Sequence, residues 1–127
     1  MNDANDLSLR VTMMPRDTNV HGTIFGGIIL SYIDQAGAVH VRRHGCHNVV
    51  TVALDKVVFH EPVYVGDVVS FRTRTLSTGR TSVRVRVTVE AARYATNAVI
   101  TVTEADVVYV NVDAERRPMP LAHDTPS

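Results

Sequence analysis

A carboxylate inside an apolar segment is the first candidate for chemistry in this chain. Asp34 lies between Ile33 and Ala36, in a run whose apolar positions repeat with helical spacing. A buried, unpaired carboxylate costs free energy and tends to have a raised pKa, which suits a general base that activates water, or a nucleophile. The other interpretation is a helical aspartate that faces solvent or caps a neighbouring segment, and the spacing alone leaves both open.

The segment before Asp34 supplies further groups that suit a reaction centre. Asn19 lies among turn-forming residues, where it either caps the turn or orients water or a carbonyl group. Gly22, Gly26 and Gly27 surround the start of the apolar run. They allow either close packing or the approach of backbone N–H groups to a developing oxyanion, with assistance from a helix dipole.

Histidine and cysteine residues invite a metal interpretation, which their spacing does not favour. The segment from His44 to His47 includes Cys46, but the spacing is irregular and no second pair of ligands follows. We therefore expect these residues to form the loop that ends the helix, and we expect no metal site there. Cys46 lacks a local base arrangement and is not expected to be a nucleophile. His21 is expected either to contact substrate or to hold its loop.

One long helix must position the candidate groups. Residues 24–43 predict this helix, which ends in basic residues and a glycine. Its glycines, including Gly37, lower helix propensity and therefore indicate close backbone approach to a sheet or to a ligand. The buried stripe is expected to comprise Ile29, Ile33, Ala36 and His40, widened by Ile28, Tyr32 and Val39.

The remainder of the chain predicts a sheet. Valine-rich runs separated by turns indicate strands at residues 7–13, 49–59, 68–76, 81–92 and 98–112. The strand at 81–92 alternates strictly, as expected for an antiparallel strand with one solvated face. The pattern predicts an α+β fold in which an antiparallel sheet of about five strands wraps one central helix. Such a sheet leaves an edge open, so we expect a dimer.

Composition indicates a small globular domain. The 127 residues carry 13 Lys and Arg against 13 Asp and Glu, so the net charge is zero, and neither nucleic acid nor a membrane is expected as a partner. The absence of a long apolar run and of a secretory signal, with one cysteine, predicts a cytoplasmic location. We expect a single domain over residues 1–127, with flexible ends at 1–7 and about 121–127.

Two adjacent motifs resemble a known signature. Residues 17–27, DTNVHGTIFGG, and residues 31–38, SYIDQAGA, resemble the hotdog-fold acyl-CoA thioesterases, in particular the YciA-type enzymes and the brain-type cytosolic acyl-CoA hydrolases. The similarity covers roughly residues 8–121 and includes VGDVV, GRTS and RPMP further along the chain. It implies a hotdog fold and the hydrolysis of acyl-CoA to a carboxylic acid and CoA, where CoA is part of the substrate and no cofactor is needed.

The resemblance also implies roles for residues and for subunits. Asp34 matches the catalytic aspartate of the family, and Asn19 matches the asparagine that acts beside it from the other subunit. The active site would then be shared across a dimer interface, and a trimer of dimers is implied. The groups near the CoA nucleotide are expected to be the hairpin residues Gly79, Arg80, Thr81 and Ser82, together with Lys56 earlier in the chain.

Two alternatives to hydrolysis remain open at this point. A hotdog dehydratase would need a histidine paired with an acidic residue, and only His21 lies nearby in the sequence. A non-catalytic acyl-CoA-binding regulator would need neither Asp34 nor Asn19, so their presence argues against it.

Overall fold

A five-stranded sheet and one long helix make up the architecture. The computed structural model describes residues 5–121. In chain order the elements are β1 (Asp6–Thr12), a short 3-10 helix (Pro15–Asp17), α1 (Gly26–Arg43), β2 (Val49–Phe59), β3 (Val68–Thr78), β4 (Ser82–Ala92) and β5 (Val99–Asn111). The strands pair antiparallel in the order β1-β3-β4-β5-β2. The predicted α+β arrangement, with one helix inserted between the first and second strands, is confirmed.

Helix α1 begins two residues later than its apolar pattern predicts. Phe25 keeps an extended backbone (φ −62°, ψ 129°) as the residue before the helix. The backbone N–H of Ile24 donates to the carbonyl of Val63 at 2.8 Å, and that of Phe25 donates to Asp17 at 2.8 Å. These hydrogen bonds hold the chain as a loop up to Gly26, because they engage the amides before the helix begins.

The core lies between α1 and one face of the sheet. The helix contacts all five strands, and its predicted stripe of Ile29, Ile33, Ala36 and His40 is buried. Ile28 and Tyr32 are half-buried against this core, whereas Val39, predicted to widen the stripe, is 38% exposed. The sheet therefore covers one side of the helix, and the flank at Val39 remains open within a single chain. The sheet contributes a matching row at Val83, Val85, Val87 and Val89.

A charged network lies on the opposite face of the sheet. Asp106 on β5 is 1% exposed, and its carboxylate accepts hydrogen bonds from Arg84, at 3.2 Å, and from Arg86. Arg84 also donates to Asp55 on β2 at 2.9 Å. The hydrogen bond to Asp55 has the largest effect on the pKa of Arg84 and raises it. Desolvation lowers this pKa, whereas the charge of Asp55 and the hydrogen bond and charge of Asp106 raise it further, so the net shift is upward. The network therefore ties β2, β5 and β4 together.

Replacing Asp106 with asparagine is expected to destabilise the protein. The change keeps the size of the side chain but removes the charge between two arginines, and breaking a buried ion pair is costly. Because both arginines retain contact with water, we expect a loss of about 2 kcal/mol in the free energy of unfolding, measured by urea denaturation. Glu115→Gln is the control, since that exposed ion pair with Arg117 should contribute less than about 0.5 kcal/mol. An Asp106→Asn variant as stable as the control would contradict this account.

The ends of the chain lie mostly outside the described residues. Of the predicted flexible segments 1–7 and about 121–127, the structure describes residues 5–7 and residue 121, and Asp6 and Leu7 belong to β1. Over residues 5–121, no helix has both the length and the apolar character to cross a membrane.

Candidate active site

Asp34 lies at the middle of α1, where its carboxylate meets the sheet. Thr51 Oγ1 on β2 donates a hydrogen bond to Asp34 Oδ1 at 2.7 Å, and Tyr109 Oη on β5 lies 3.3 Å from the same oxygen. Tyr109 Oη also donates to the backbone carbonyl of Asp34 at 2.6 Å. Thr51 and Tyr109 lie opposite each other on β2 and β5, so one cross-strand pair supplies both donors. The carboxylate is half-buried and is fixed in orientation by two elements other than its own helix.

Tyr109 reaches Asp34 because Gly37 leaves space for its ring. A Cβ atom on Gly37 would lie 2.2 Å from Tyr109 Oη and 2.9 Å from two carbons of the ring. Burial, together with the nearby Asp34 carboxylate, raises the pKa of Tyr109 above its ordinary value. Tyr109 therefore stays protonated and donates its hydrogen bond across the neutral pH range. The close approach predicted for Gly37 is confirmed, and its partner is the sheet.

Sequence reasoning missed both residues that orient Asp34. Thr51 lies between valines in β2, and Tyr109 is the one aromatic residue of β5. A hydroxyl between two valines was the available signal, since Tyr109, like Thr51, has a valine on each side. It could not be assigned to Asp34, because strand order and register decide which residues face one position on the helix.

Asn19 organises the loop before the helix. Its Oδ1 accepts hydrogen bonds from the backbone N–H groups of His21, at 2.8 Å, and Thr23, at 3.2 Å. Its Nδ2 donates to Thr23 Oγ1 at 2.9 Å. These contacts match the turn-capping interpretation. They employ one of the two amide protons, so the second N–H can serve a ligand. His21 is exposed and joins this loop through its backbone.

The start of α1 presents backbone N–H groups without a side-chain cap. Phe25 precedes the helix and makes no capping hydrogen bond, and Gly26 and Gly27 occupy the first two helical positions. Amides at these positions have no acceptor within the helix. Gly22 has φ +84°, a conformation that favours glycine, and it allows the loop to turn back towards the helix.

A cleft of about 230 Å³ opens beside this helix start. Ile24, Gly26 and Ile29 line one side, and Phe59 and Thr103 lie opposite. Thr103 is 1% exposed, and its hydroxyl has no hydrogen-bond partner among the described residues. The lining of the cleft also includes His60 and Glu61, so a mainly apolar surface with a few polar groups borders the start of the helix.

Thr103→Val tests this cleft without changing its shape. Valine has nearly the same volume, and it removes a buried hydroxyl that costs free energy when it lacks a partner. We expect the free energy of unfolding to rise by about 1 kcal/mol in urea denaturation. Thr73→Val is the matched control and should destabilise, because the Thr73 hydroxyl bonds Ser8 and His40. A loss of stability in Thr103→Val would mean that its hydroxyl is satisfied by bound water.

The carboxylate and the helix start are separated within one chain. Asp34 follows Gly26 by eight positions in the helix, a rise of about 12 Å. Gly22 lies in the Asn19 loop, where its N–H donates to the Asn19 carbonyl at 3.2 Å. Gly26 and Gly27 begin the helix, whereas Asp34 lies at a different level of it.

The sheet ends beside Asp34 in an unpaired edge. Within residues 5–121, strand β2 pairs only with β5, and it carries Val52, Val58 and Phe59 with about half of each side chain exposed. Unpaired edges of this length with apolar side chains are sites of strand pairing. Thr51 and Asp34 adjoin this edge, so a subunit that pairs with β2 would approach the carboxylate.

The predicted CoA-binding groups fall in two places. The hairpin at Gly79, Arg80, Thr81 and Ser82 is closed by a hydrogen bond from the Gly79 N–H to the Ser82 carbonyl at 2.8 Å. Ser82 and Val50 both pair with Val110 from opposite sides, which places the hairpin near the level of Thr51. Lys56 lies further along β2 in a bulge, with φ 53° and an exposed side chain. The hairpin and Lys56 therefore do not form one cluster in a single chain.

Comparisons with known proteins agree with this geometry. Residues 21–95 match the thioesterase superfamily model. The YciA acyl-CoA thioester hydrolase of Escherichia coli is 40% identical over 119 residues, which cover 91% of this chain and 90% of the relative. A hexameric hotdog-fold thioesterase of Campylobacter jejuni superposes with a TM-score of 0.89 at 42% identity, covering 95% of this chain and 93% of that one.

A second solved structure bears on the choice of reaction. A hexameric, broad-specificity acyl-coenzyme A thioesterase, crystallised with an aspartate replaced by alanine, gives a TM-score of 0.89 at 35% identity, over 95% of this chain and 89% of that one. These relatives are hydrolases, and they lend no support to the dehydratase or regulator alternatives. The expected hotdog architecture and family are confirmed. This chain belongs to the acyl-CoA thioester hydrolase family of the thioesterase superfamily.

Proposed function

We propose that this protein hydrolyses acyl-CoA thioesters to a free carboxylic acid and CoA. The observation that carries the proposal is the Asp34 carboxylate, held by Thr51 and Tyr109 beside an open sheet edge. Asp34 either takes a proton from the water that attacks the thioester carbonyl, or attacks that carbon itself to form an anhydride that water then cleaves. In both routes the C–S bond breaks. In the first, the proton that Asp34 takes from water passes to the departing CoA sulfur; in the second, the sulfur leaves as a thiolate that takes a proton from water. CoA enters as part of the substrate, and the chemistry requires no added cofactor.

The site is completed by a second subunit in this proposal. Asp34 lies about 12 Å along the helix from its own helix-start amides, whereas a subunit paired at β2 would approach it. Asn19 and the amides of Gly26 and Gly27 from one protomer would then position the carbonyl and stabilise the oxyanion above Asp34 of the other. The cleft at the helix start would take the first part of the acyl chain, and Arg80 in the hairpin would approach the CoA phosphates.

Assembly and location follow from the same proposal. The relatives named above include hexamers, and the open β2 edge supports a dimer as the basic unit. We propose a trimer of dimers, with a mass of about six times 14.0 kDa in light scattering. The proposed location is the cytoplasm, where a buried cysteine thiol such as that of Cys46 stays reduced.

A thiol-release assay with acyl-CoAs from acetyl to palmitoyl tests the reaction. Hydrolysis of one or more members supports the proposal and defines the preferred chain length. Tight CoA binding without release of thiol from any substrate would contradict it and favour a binding protein.

Complementation between two inactive variants tests the shared site. Asn19→Ala and Asp34→Ala are co-expressed and the mixed assembly is assayed. If each site combines Asn19 of one chain with Asp34 of the other, half of the dimers are mixed, each mixed dimer has one intact site, and about a quarter of the wild-type activity returns. A site built within one chain would recover nothing. Each variant alone serves as the control.

A further inference from the structure

Three potential metal ligands meet where the C-terminal end of α1 packs against β1. Asp6 Oδ2 lies 3.7 Å from His44 Nε2 and 4.0 Å from His40 Nδ1, and the three atoms all lie within 4.8 Å of one another. We propose that Asp6, His40 and His44 bind a divalent transition-metal ion such as Zn²⁺. The proposal is independent of the hydrolytic site, because it concerns the other end of the helix.

Helical spacing explains why the two histidines act together. His40 and His44 are four residues apart, so both side chains project from the same face of the helix end. Their ring centroids are 4.6 Å apart. Histidines at this spacing on a helix are a recognised zinc-binding arrangement, and a carboxylate is a common third ligand. Ligands 2.0–2.1 Å from zinc in a tetrahedron are about 3.4 Å apart, so the observed separations to Asp6 need to contract by only a few tenths of an ångström.

His44 provides a second, independent observation in favour of a ligand at this cluster. Its Nε2 atom is buried and has no hydrogen-bond partner among the described residues, although it points towards the Asp6 carboxylate. A buried nitrogen without a partner is costly, and a bound cation would satisfy it.

Hydrogen bonds from neighbouring threonines already orient the His40 ring. Its Nε2 lies 2.9 Å from Thr75 Oγ1, which would fix the ring as metal-binding histidines require. Its Nδ1 lies 2.9 Å from Thr73 Oγ1, and metal binding would replace this contact. The Thr73 hydroxyl would keep Ser8 Oγ, at 2.6 Å, as its partner. A bulge between Leu7 and Leu9 interrupts the β1 register next to Asp6, and such bulges redirect side chains.

One positive charge opposes the metal. Arg43 Nη1 lies 4.0 Å from Asp6 Oδ2, and about half of its side chain is exposed. Arg43 competes for the carboxylate, and its charge repels a cation. Removing it should therefore strengthen metal binding, which distinguishes a metal site from a simple ion-pair cluster.

Zinc titration of the EDTA-treated, dialysed protein tests the site, with isothermal calorimetry for stoichiometry and Co²⁺ absorption for geometry. We expect saturable binding of one ion per chain, weakened at least about 10-fold in His44→Ala and in Asp6→Asn. Arg43→Gln should bind more tightly than the wild type. His47→Ala is the matched control, because it removes an exposed histidine three residues away and should leave the affinity unchanged.

Three results would overturn the proposal. They are the absence of saturable binding, unchanged affinity in both His44→Ala and Asp6→Asn, or an equal loss in His47→Ala. Asp6→Asn preserves the size of the side chain, so it remains informative if His44→Ala fails to fold. Circular dichroism of each metal-free variant monitors folding, and none of these measurements depends on thioesterase activity.

Discussion

The Asp34→Ala variant is expected to lose nearly all thioester hydrolysis while it still binds CoA. A general base contributes about 10² to 10⁴ to the rate, so kcat should fall by that factor, and a nucleophile would cost at least as much. The nucleotide and pantetheine parts of the substrate are held elsewhere, so the affinity for CoA should change little. Thiol release gives the rate, and calorimetry with CoA gives the affinity.

Two further variants separate the carboxylate from its surroundings. Asp34→Asn keeps the size of the side chain and its hydrogen bond from Thr51, so an equal loss of activity would identify the carboxylate as essential. Thr51→Val removes only the 2.7 Å hydrogen bond to Oδ1 and should lower kcat more modestly, by about 10-fold, the equivalent of one hydrogen bond. Wild-type kcat in Asp34→Ala would contradict the proposed mechanism, and a loss of CoA binding would point instead to a folding defect.

The Gly37→Ala variant is expected to be clearly less stable than the wild type. The added Cβ would lie 2.2 Å from Tyr109 Oη and 2.9 Å from the ring, and Tyr109 is 1% exposed and cannot move away freely. Overpacking of this kind costs about 1–3 kcal/mol, from which the helix propensity of alanine recovers up to about 1 kcal/mol. Because the contact at Gly37 is very close, the cost should lie in the upper part of this range, and we expect a net loss of about 1–2 kcal/mol in urea denaturation at fixed protein concentration.

Gly26→Ala and a double variant make this test specific. At Gly26 the Cβ would lie 3.5 Å from the Phe59 ring, an ordinary contact, so this exchange in the same helix should not destabilise. Tyr109→Phe removes the atom closest to the new Cβ, so the Gly37→Ala, Tyr109→Phe double variant should be more stable than the sum of the single effects predicts. Additive effects, or a neutral Gly37→Ala, would show that the ring and the helix are further apart.

The order of elements followed from local patterns along the chain. Helical spacing marked α1, strict alternation marked β4, and turn residues marked the ends of the strands, because these periodicities depend on near neighbours only. One helix inserted into an antiparallel sheet left few packing solutions, which led to the correct architecture. The start of the helix was predicted two residues too early, because the hydrogen bonds from Phe25 to Asp17 and from Ile24 to Val63 delay it.

Asp34 and Asn19 were candidates by type and position, and the roles proposed for them came from the resemblance to a family. Thr51 and Tyr109 were not identifiable, since their contact with Asp34 depends on which strands are neighbours and on their register. The metal interpretation shows the same contrast. The sequence groups His44 with Cys46 and His47, whereas the fold places it with Asp6 and His40.

What the sequence by itself determined was therefore the set of elements and the one carboxylate on the helix. The tertiary structure decided what surrounds that carboxylate. These surroundings are the hydroxyls of the cross-strand pair Thr51 and Tyr109, the space that Gly37 leaves for the tyrosine ring, and the open β2 edge. The physical reason is that local periodicity specifies which face of an element is buried. Contacts between residues distant in the chain arise only when strand order, register and helix placement are established together.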